Sequence, residues 1–304
     1  MPPRVPAVLS IAGSDSGGGA GIQADIKAFA RCGVHGLTAI TALTAQSTVG
    51  VSGVHTVPGE FIVAQVRAVA EDIGVDAVKI GMLGTAETVE AVDAALDLLE
   101  PGTPIVIDPV MVAESGAVLL DEGARRALVA RLLPRATVIT PNLPEASVLV
   151  GAGAPEDASA DQLGRGGETR AKRWQGPRPG QDRAGALAHA LHALGPLAVV
   201  VTGGHREEAT DVFFDGVETH AIAGERHPDG AAHGSGCTHS SALAAHLALG
   251  FPPLEAARAA RAIAADAVRD GLRGLGRGAG PVNVLGVTFS AAVNSGSLGY
   301  SRPR

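Results

Sequence analysis

Four residues, Gly234-Ser235-Gly236-Cys237, stand ahead of an Ala/Leu run that reads as a helix to about Leu249. A helix start presents unpaired backbone N–H groups and the positive end of the dipole. Flanking glycines let an anion approach that backbone closely. Cys237 is the one titratable side chain in this cradle. A thiol at a helix N-terminus has a lowered pKa and can act as a base or a nucleophile. The simpler reading is a small residue buried after a tight turn, since one glycine-rich turn has little specificity by itself. His233, Cys237 and His239 invite a zinc reading, but their spacing matches no standard zinc pattern.

Other residues with chemical potential fall at the ends of apolar runs. The stretch from Gly13 to Gly21 (GSDSGGGAG) has neither the Lys-Ser/Thr of a phosphate loop nor the spacing of a dinucleotide fingerprint. It reads either as a flexible turn or as a substrate-covering loop with Asp15 and Asp25 near the ligand. Gln46 follows an apolar run, at the usual ligand position of an open α/β sheet. Its amide both donates and accepts, which suits the edge of a nitrogen heterocycle; a solvated loop glutamine is the alternative. Asn142 and Glu145 straddle a helix start, where Pro144 suits the first turn. They can hold a hydrated Mg²⁺ or merely cap the helix.

The elements that must position these residues alternate. Apolar runs at Ala7–Ala12, His35–Leu43, Ser52–Val57, Asp76–Ile80, Pro104–Asp108, Ala136–Thr140 and Leu197–Thr202 read as strands. Helical spacing predicts helices over residues 22–33, Glu60–Asp72, Ala86–Leu99, Leu119–Leu133, Ala184–Leu194 and Glu255–Leu272, with Thr85 as a cap for the third. Asp211–Phe214 and Val217–Ile222 read as an antiparallel hairpin. The alternation implies a three-layer α/β fold, a mainly parallel sheet with helices on both faces, and a site along one sheet edge. No linker or internal repeat divides the chain, so residues 1–304 are expected to form one domain. The segment 164–183 carries six Lys/Arg against two acids and the only Trp, with no apolar period. It is expected to be a surface-loop insertion, with a lid or subunit contact through Trp174 as the other reading. Residues from about 285 to 304 read as a peripheral tail.

Composition narrows the classes. With 304 residues and 46% hydrophobic content the chain can bury a large core, built from aliphatic residues because aromatics are only 3%. The net charge of −7 argues against a nucleic-acid surface. Two distant cysteines, Cys32 and Cys237, suggest no disulfide framework. No leader pattern or run of about 18 apolar residues is visible, so a cytoplasmic protein without a membrane partner is expected.

Taken together, SIAGSDSGGGAGIQADIKAF, TALTAQSTVGV, VKIGMLG, ITPNLPEA, VTGGH and HGSGCTHSSALAA resemble the hydroxymethylpyrimidine/phosphomethylpyrimidine kinases of thiamine biosynthesis, in the ribokinase-like superfamily. The resemblance runs from about residue 7 to residue 282. It implies ATP-dependent phosphorylation of 4-amino-5-hydroxymethyl-2-methylpyrimidine and then of its monophosphate. It also implies Mg²⁺ and a monovalent cation as cofactors, and a homodimer. In that picture Gly13, Asp15, Asp25, Gln46 and Met82 hold the pyrimidine. Gly234, Ser235, Gly236 and Cys237 form the anion hole, with Cys237 in the place of the base. Asp108, Asn142, Thr202 and Gly204 meet ATP, and Asn142 with Glu145 belongs to the Mg²⁺ motif, directly or through water. One departure stands out: Thr202 occupies the position where the family usually has Lys, so Arg206 or a basic residue of 164–183 is expected to supply charge. The sugar kinases carry Asp where Cys237 stands, which favours a pyrimidine or pyridine alcohol. A pyridoxal/pyridoxine kinase and a non-catalytic pyrimidine-binding sensor are the alternatives.

Overall fold

A computed structural model describes residues 4–112, 119–152, 182–203 and 209–288. Its elements, in order, are β1 (Ala7–Asp15), α1 (Gly21–Arg31), β2 (His35–Ser47), β3 (Gly50–Thr56), α2 (Gly59–Asp72), β4 (Ala77–Ile80), α3 (Ala86–Leu96) and β5 (Ile105–Ile107). Then come α4 (Glu122–Ala127), β6 (Val138–Ile139), α5 (Leu143–Ala152), α6 (Arg183–His192), β7 (Ala198–Val201), β8 (Asp211–Phe214), β9 (Thr219–Ile222), α7 (Ser235–Ala248) and α8 (Pro253–Arg269).

All the described strands join one sheet in the order β3-β2-β1-β4-β5-β6-β7-β8-β9. From β2 through β7 the neighbours run parallel, while β3, β8 and β9 add antiparallel pairs at the two sides. The side-chain period of two sorts the central strands between the two faces. Leu9, Val78, Ile107, Ile139 and Val199 pack with α2 to α6. Val8, Ala77, Val106, Val138 and Val200 pack with α1, α7 and α8. Because both faces are covered, these strands read as continuous apolar runs. The chain leaves β1 towards β2 on one side and returns to β4 on the other. This reversal opens a crevice above the carboxyl ends of the strands.

Several boundaries differ from the sequence reading for local reasons. α4 begins at Glu122, later than Leu119, because the Asp121 carboxylate accepts the Ala124 N–H at 2.7 Å and caps it. Past Ala127 the helix continues as a π turn, Leu128–Leu132, and a 3₁₀ turn, Leu133–Arg135. Asp182 caps α6, so Arg183 is helical and does not belong to a loop. The segment 164–181, with Trp174, lies outside the described residues, as do Gly204, Arg206 and residues 289–304. α7 ends at Ala248 ahead of Gly250, whose φ of +87° stops the helix.

Candidate active site

The glycine loop between β1 and α1 is built around Asp15. Its carboxylate accepts the N–H groups of Gly17 at 2.7 Å, Gly19 at 3.0 Å and Ala20 at 2.8 Å, and meets His233 Nε2 at 3.2 Å. Burial pushes this carboxyl up, but His233 and the loop N–H groups outweigh it and hold Asp15 below the usual carboxylate range. Asp15 borders the cleft as expected, yet its oxygens are committed to the loop. The loop in turn lies against the start of α7. A Cβ at Gly19 would strike the His233 ring, and one at Gly234 would overlap the Gly19 carbonyl oxygen.

Gly234 has φ +85°, a left-handed conformation that glycine adopts without penalty, and α7 starts at the next residue. No side chain caps this helix, and its first turn holds no acid. Ser235, Gly236 and Cys237 reach the cleft from here. The half-buried Cys237 sulfur accepts a hydrogen bond from the Gly21 N–H. Burial, with Asp25 and Asp108 adding to it, pushes the thiol up to about 12 against the pull of Lys79 and that N–H. This corrects the sequence expectation. The helix start does not give a lowered thiol here, because burial, with two carboxylates adding to it, outweighs the helix start.

Those carboxylates form the floor. Lys79, in the middle of an apolar strand, is fully buried and donates to Asp25 Oδ1 at 2.9 Å and Oδ2 at 3.1 Å. Ser10 and Ser241 also donate to Asp25, at 2.6 and 2.7 Å. Asp25 is therefore sealed beneath the cleft and does not border it, which corrects its expected contact with substrate. Asp108 does border the cleft; Ser240 donates to it at 3.0 Å and Lys79 Nζ lies 4.0 Å away. Burial raises the Asp108 carboxyl above its ordinary range in spite of Lys79 and Ser240.

Asn142 and Glu145 cap α5 reciprocally. The Asn142 N–H donates to Glu145 and the Glu145 N–H to Asn142 Oδ1, both at 2.9 Å. The capping reading therefore holds, and both residues also line the cleft. Burial and the Asp108 charge push the Glu145 carboxyl up to about 8. A buried cleft carboxyl raised by the neighbouring Asp108 charge, with an amide oxygen alongside, fits a hard divalent cation. Thr202 follows β7 at the same edge, bridged to Asn142. Beside it Asp211 accepts the Gly203 N–H at 2.7 Å and faces His239 at 3.4 Å and Arg261 at 3.8 Å. His233 thus turns to Asp15 and His239 to Asp211, so the two do not converge with Cys237 on one metal.

At the other end of the cleft, Gln46 Oε1 accepts from Thr44 at 3.2 Å. The Met82 carbonyl is taken by the Thr41 hydroxyl at 2.7 Å. A Cβ at Gly13 would come 3.0 Å from Met82 Sδ, so the missing side chain lets that thioether close the wall. The whole cleft holds about 410 Å³. Lys79, Ser240 and Arg261 were not legible as site residues individually. Lys79 did carry a signal: a lone ammonium between Val78 and Ile80 in a buried strand requires a buried partner.

An open helix N-terminus, a glycine loop packed on it and carboxyls around one crevice at the sheet's switch point define a small-molecule phosphotransferase of ribokinase-like fold. A model of the phosphomethylpyrimidine kinase family matches residues 15–166 and 177–283. The chain belongs to that family. A hydroxymethylpyrimidine/phosphomethylpyrimidine kinase of Rhizobium meliloti is 45% identical, over 90% of this chain and 95% of its own. The thiamine biosynthesis bifunctional protein ThiED of Geobacter sulfurreducens is also 45% identical over 91% of this chain, which spans 51% of that longer protein. Among solved structures, the pyridoxal kinase of Staphylococcus aureus in complex with pyridoxal matches with a TM-score of 0.75 and 31% identity, covering 93% of this chain and 94% of that one. Phosphomethylpyrimidine kinase from Clostridium difficile matches at 0.66 and 35%, over 84% and 96%. Among the described residues no helix is long and apolar enough to cross a membrane.

Proposed function

We propose that the chain transfers the terminal phosphoryl group of ATP to the hydroxymethyl oxygen of the aminopyrimidine alcohol, and then to the resulting monophosphate. The observation that carries this reading is the uncapped α7 start, with Gly234 in a left-handed turn, facing Asp108 and Gln46 across one cleft. Phosphoryl transfer needs positioning and charge neutralisation more than covalent chemistry. In this reading the N–H groups of the α7 turn receive the oxygens of the transferring group. Gln46 reads the pyrimidine edge with the amide N–H₂ that Thr44 leaves open. Cys237 is a thiol in the free protein, so it takes the acceptor's proton as its own passes to an oxygen of the transferring phosphoryl group. Asn142 and Glu145 would hold Mg²⁺, which would supply neutralising charge to the triphosphate. We assign the reaction to a cytoplasmic homodimer; Val49 and Val54, exposed on the β2–β3 edge, suit a second copy.

A pyridoxal kinase is the second reading, favoured by the likeness to the pyridoxal complex. A pyridine lacks the second ring nitrogen and the amino group that Gln46 can address. The test is mass spectrometry of products formed with ATP, Mg²⁺ and either alcohol. Mono- and diphosphate from the pyrimidine, at higher kcat/KM than pyridoxal phosphate, is the expected result. Pyridoxal as the better substrate reverses the assignment, and no ADP from either makes the chain a sensor.

A further inference from the structure

The buried ammonium beneath the cleft has no part in the reading above. Lys79, its partner Asp25, and Ser10 and Ser241, which bond Asp25, are each fully buried. A buried ion pair is weak evidence of a stabilising role, because apolar residues of similar volume often serve as well. What they cannot supply is a fixed charge. An ammonium has three donors, and Lys79 directs hydrogen bonds to both oxygens of Asp25. Asp25 also accepts from Ser10 and Ser241, which fixes the carboxylate and through it the ammonium. Lys79 nevertheless borders the cleft, with Asp108 at 4.0 Å. A Cβ at Gly81 would lie 2.8 Å from Nζ, so glycine there leaves the ammonium its space.

We propose that Lys79 is a positioning residue for phosphoryl transfer: anchored by Asp25, its ammonium fixes a positive charge beside Cys237 and Asp108. This inference rests on the phosphotransferase reading. The charge offsets what gathers there: the Asp108 carboxylate, the sulfur once its proton leaves, and the incoming phosphoryl group. Cys237 lines the same cleft as Lys79 of β4 and Asp108 at the end of β5, and the ammonium is held there by Asp25 of α1. Lys79 is the one cation among these charges and opposes both burial and the two carboxylates, so removing it leaves the thiol harder to ionise.

The test uses the full chain without ATP. Iodoacetamide alkylation is followed at the Cys237 peptide by mass spectrometry between pH 8 and 10, which keeps Cys32 separate. A neighbouring opposite charge shifts a pKa by about 1–3 units. Lys79→Met should therefore slow alkylation roughly tenfold or more, and Asp25→Asn should speed it. If Lys79→Met does not fold, the double variant D25N/K79M, free of the unpaired buried carboxylate, is compared with D25N and should be slower. A pair that only props the structure predicts that every variant loosens the site and reacts faster. That result, or unchanged rates, overturns the proposal. With ATP and the pyrimidine alcohol, kcat of the Lys79→Met chain (or of D25N/K79M against D25N) should fall on the order of a hundredfold; an unchanged kcat also overturns it. Failure of the kinase reading shows separately, as absence of turnover in the unaltered protein.

Discussion

Two helices in this protein start from glycine-rich turns, α1 after the loop from Gly13 to Gly21 and α7 after Gly234, and the turns do opposite things. Ahead of α1 the N–H groups of Gly17, Gly19 and Ala20 converge on one internal carboxylate, Asp15. Ahead of α7 no side chain caps the helix. The first turn thus carries its own anion and is closed, whereas the second is free to take one from outside. Composition does not separate them, since both are runs of Gly, Ser and Ala. What separates them is a single acid, two residues after Gly13, whose carboxylate turns back onto the loop N–H groups, whereas no side chain turns back onto the start of α7. The closed turn also serves the open one, because Gly19 packs against Gly234 and His233 bonds Asp15.

The sharpest way to break this contrast is to add one methyl group to each turn. Gly234→Ala places a Cβ on the Gly19 carbonyl oxygen and forces a left-handed φ on alanine. Losing the anion-binding geometry should cost about 10²–10³-fold in kcat. A Cβ at Gly17 comes 3.1 Å from the Asp15 carboxylate and otherwise makes ordinary contacts with the Gln46 carbonyl oxygen and Ser47 Cα, so Gly17→Ala should keep kcat within about tenfold. Steady-state kinetics on the two variants checks the order.

Asp15→Asn opens the closed turn. Three loop N–H groups lose a charged acceptor, so urea unfolding should show a loss of about 1–3 kcal/mol at pH 7. The pH dependence has a definite sign. The folded Asp15 carboxyl is more acidic than its unfolded value of 3.8, so its contribution is full above that value. It fades as pH falls through the lower folded value, and the two proteins should converge there.

Glu145 behaves the other way. Its folded pKa of about 8 lies above the unfolded 4.5, so the carboxyl's contribution is full below 4.5 and lost as pH rises towards 8. Glu145→Gln retains an acceptor for the Asn142 N–H without the charge. It should match the wild type at pH 4 and exceed it by on the order of 1–2 kcal/mol at pH 9, without Mg²⁺, in thermal melts. It should also raise the Mg²⁺ concentration needed for turnover. Equal melting curves at both pH values would remove the buried charge from the account.

Thr202→Lys is the smallest perturbation. A half-exposed cation added at the β7 edge should lower the KM for ATP by no more than about fivefold, the equivalent of roughly 1 kcal/mol. A rise in KM would mean that Arg261, already beside Asp211, fills the charge requirement.

Much of the architecture could be read from residue patterns, and its failures have physical causes. The central strands were visible because both faces of the sheet are covered, which leaves apolar runs closed by Gly or Asp. β1 extends beyond Ala12 to Asp15 only because a register shift lets Ser14 and Asp15 pair with Leu43 and Thr44; nothing in GSD announces that. Asp25 was misplaced although α1 held the clue. It falls three residues after Ile22 and four before Phe29, on the buried stripe, so it had to find a buried partner, and Lys79 in its apolar strand is the complement. The left-handed turn at Gly234 and the uncapped start of α7 were legible from the local glycine pattern. The acidity of Cys237 was not, because it depends on burial and on Asp25 and Asp108, which only the tertiary fold supplies.

The central claim is that the open turn at α7, and not the closed turn at α1, receives the phosphoryl group. A crystal structure of the chain with AMP-PCP, Mg²⁺ and the pyrimidine alcohol tests it directly. The account predicts a terminal phosphate oxygen within hydrogen-bond distance, about 3 Å, of the Gly236 and Cys237 N–H groups, with the Asp15 carboxylate still holding Gly17, Gly19 and Ala20. A phosphate seated on the N–H groups of Gly17 to Ala20, with Asp15 displaced, would contradict it.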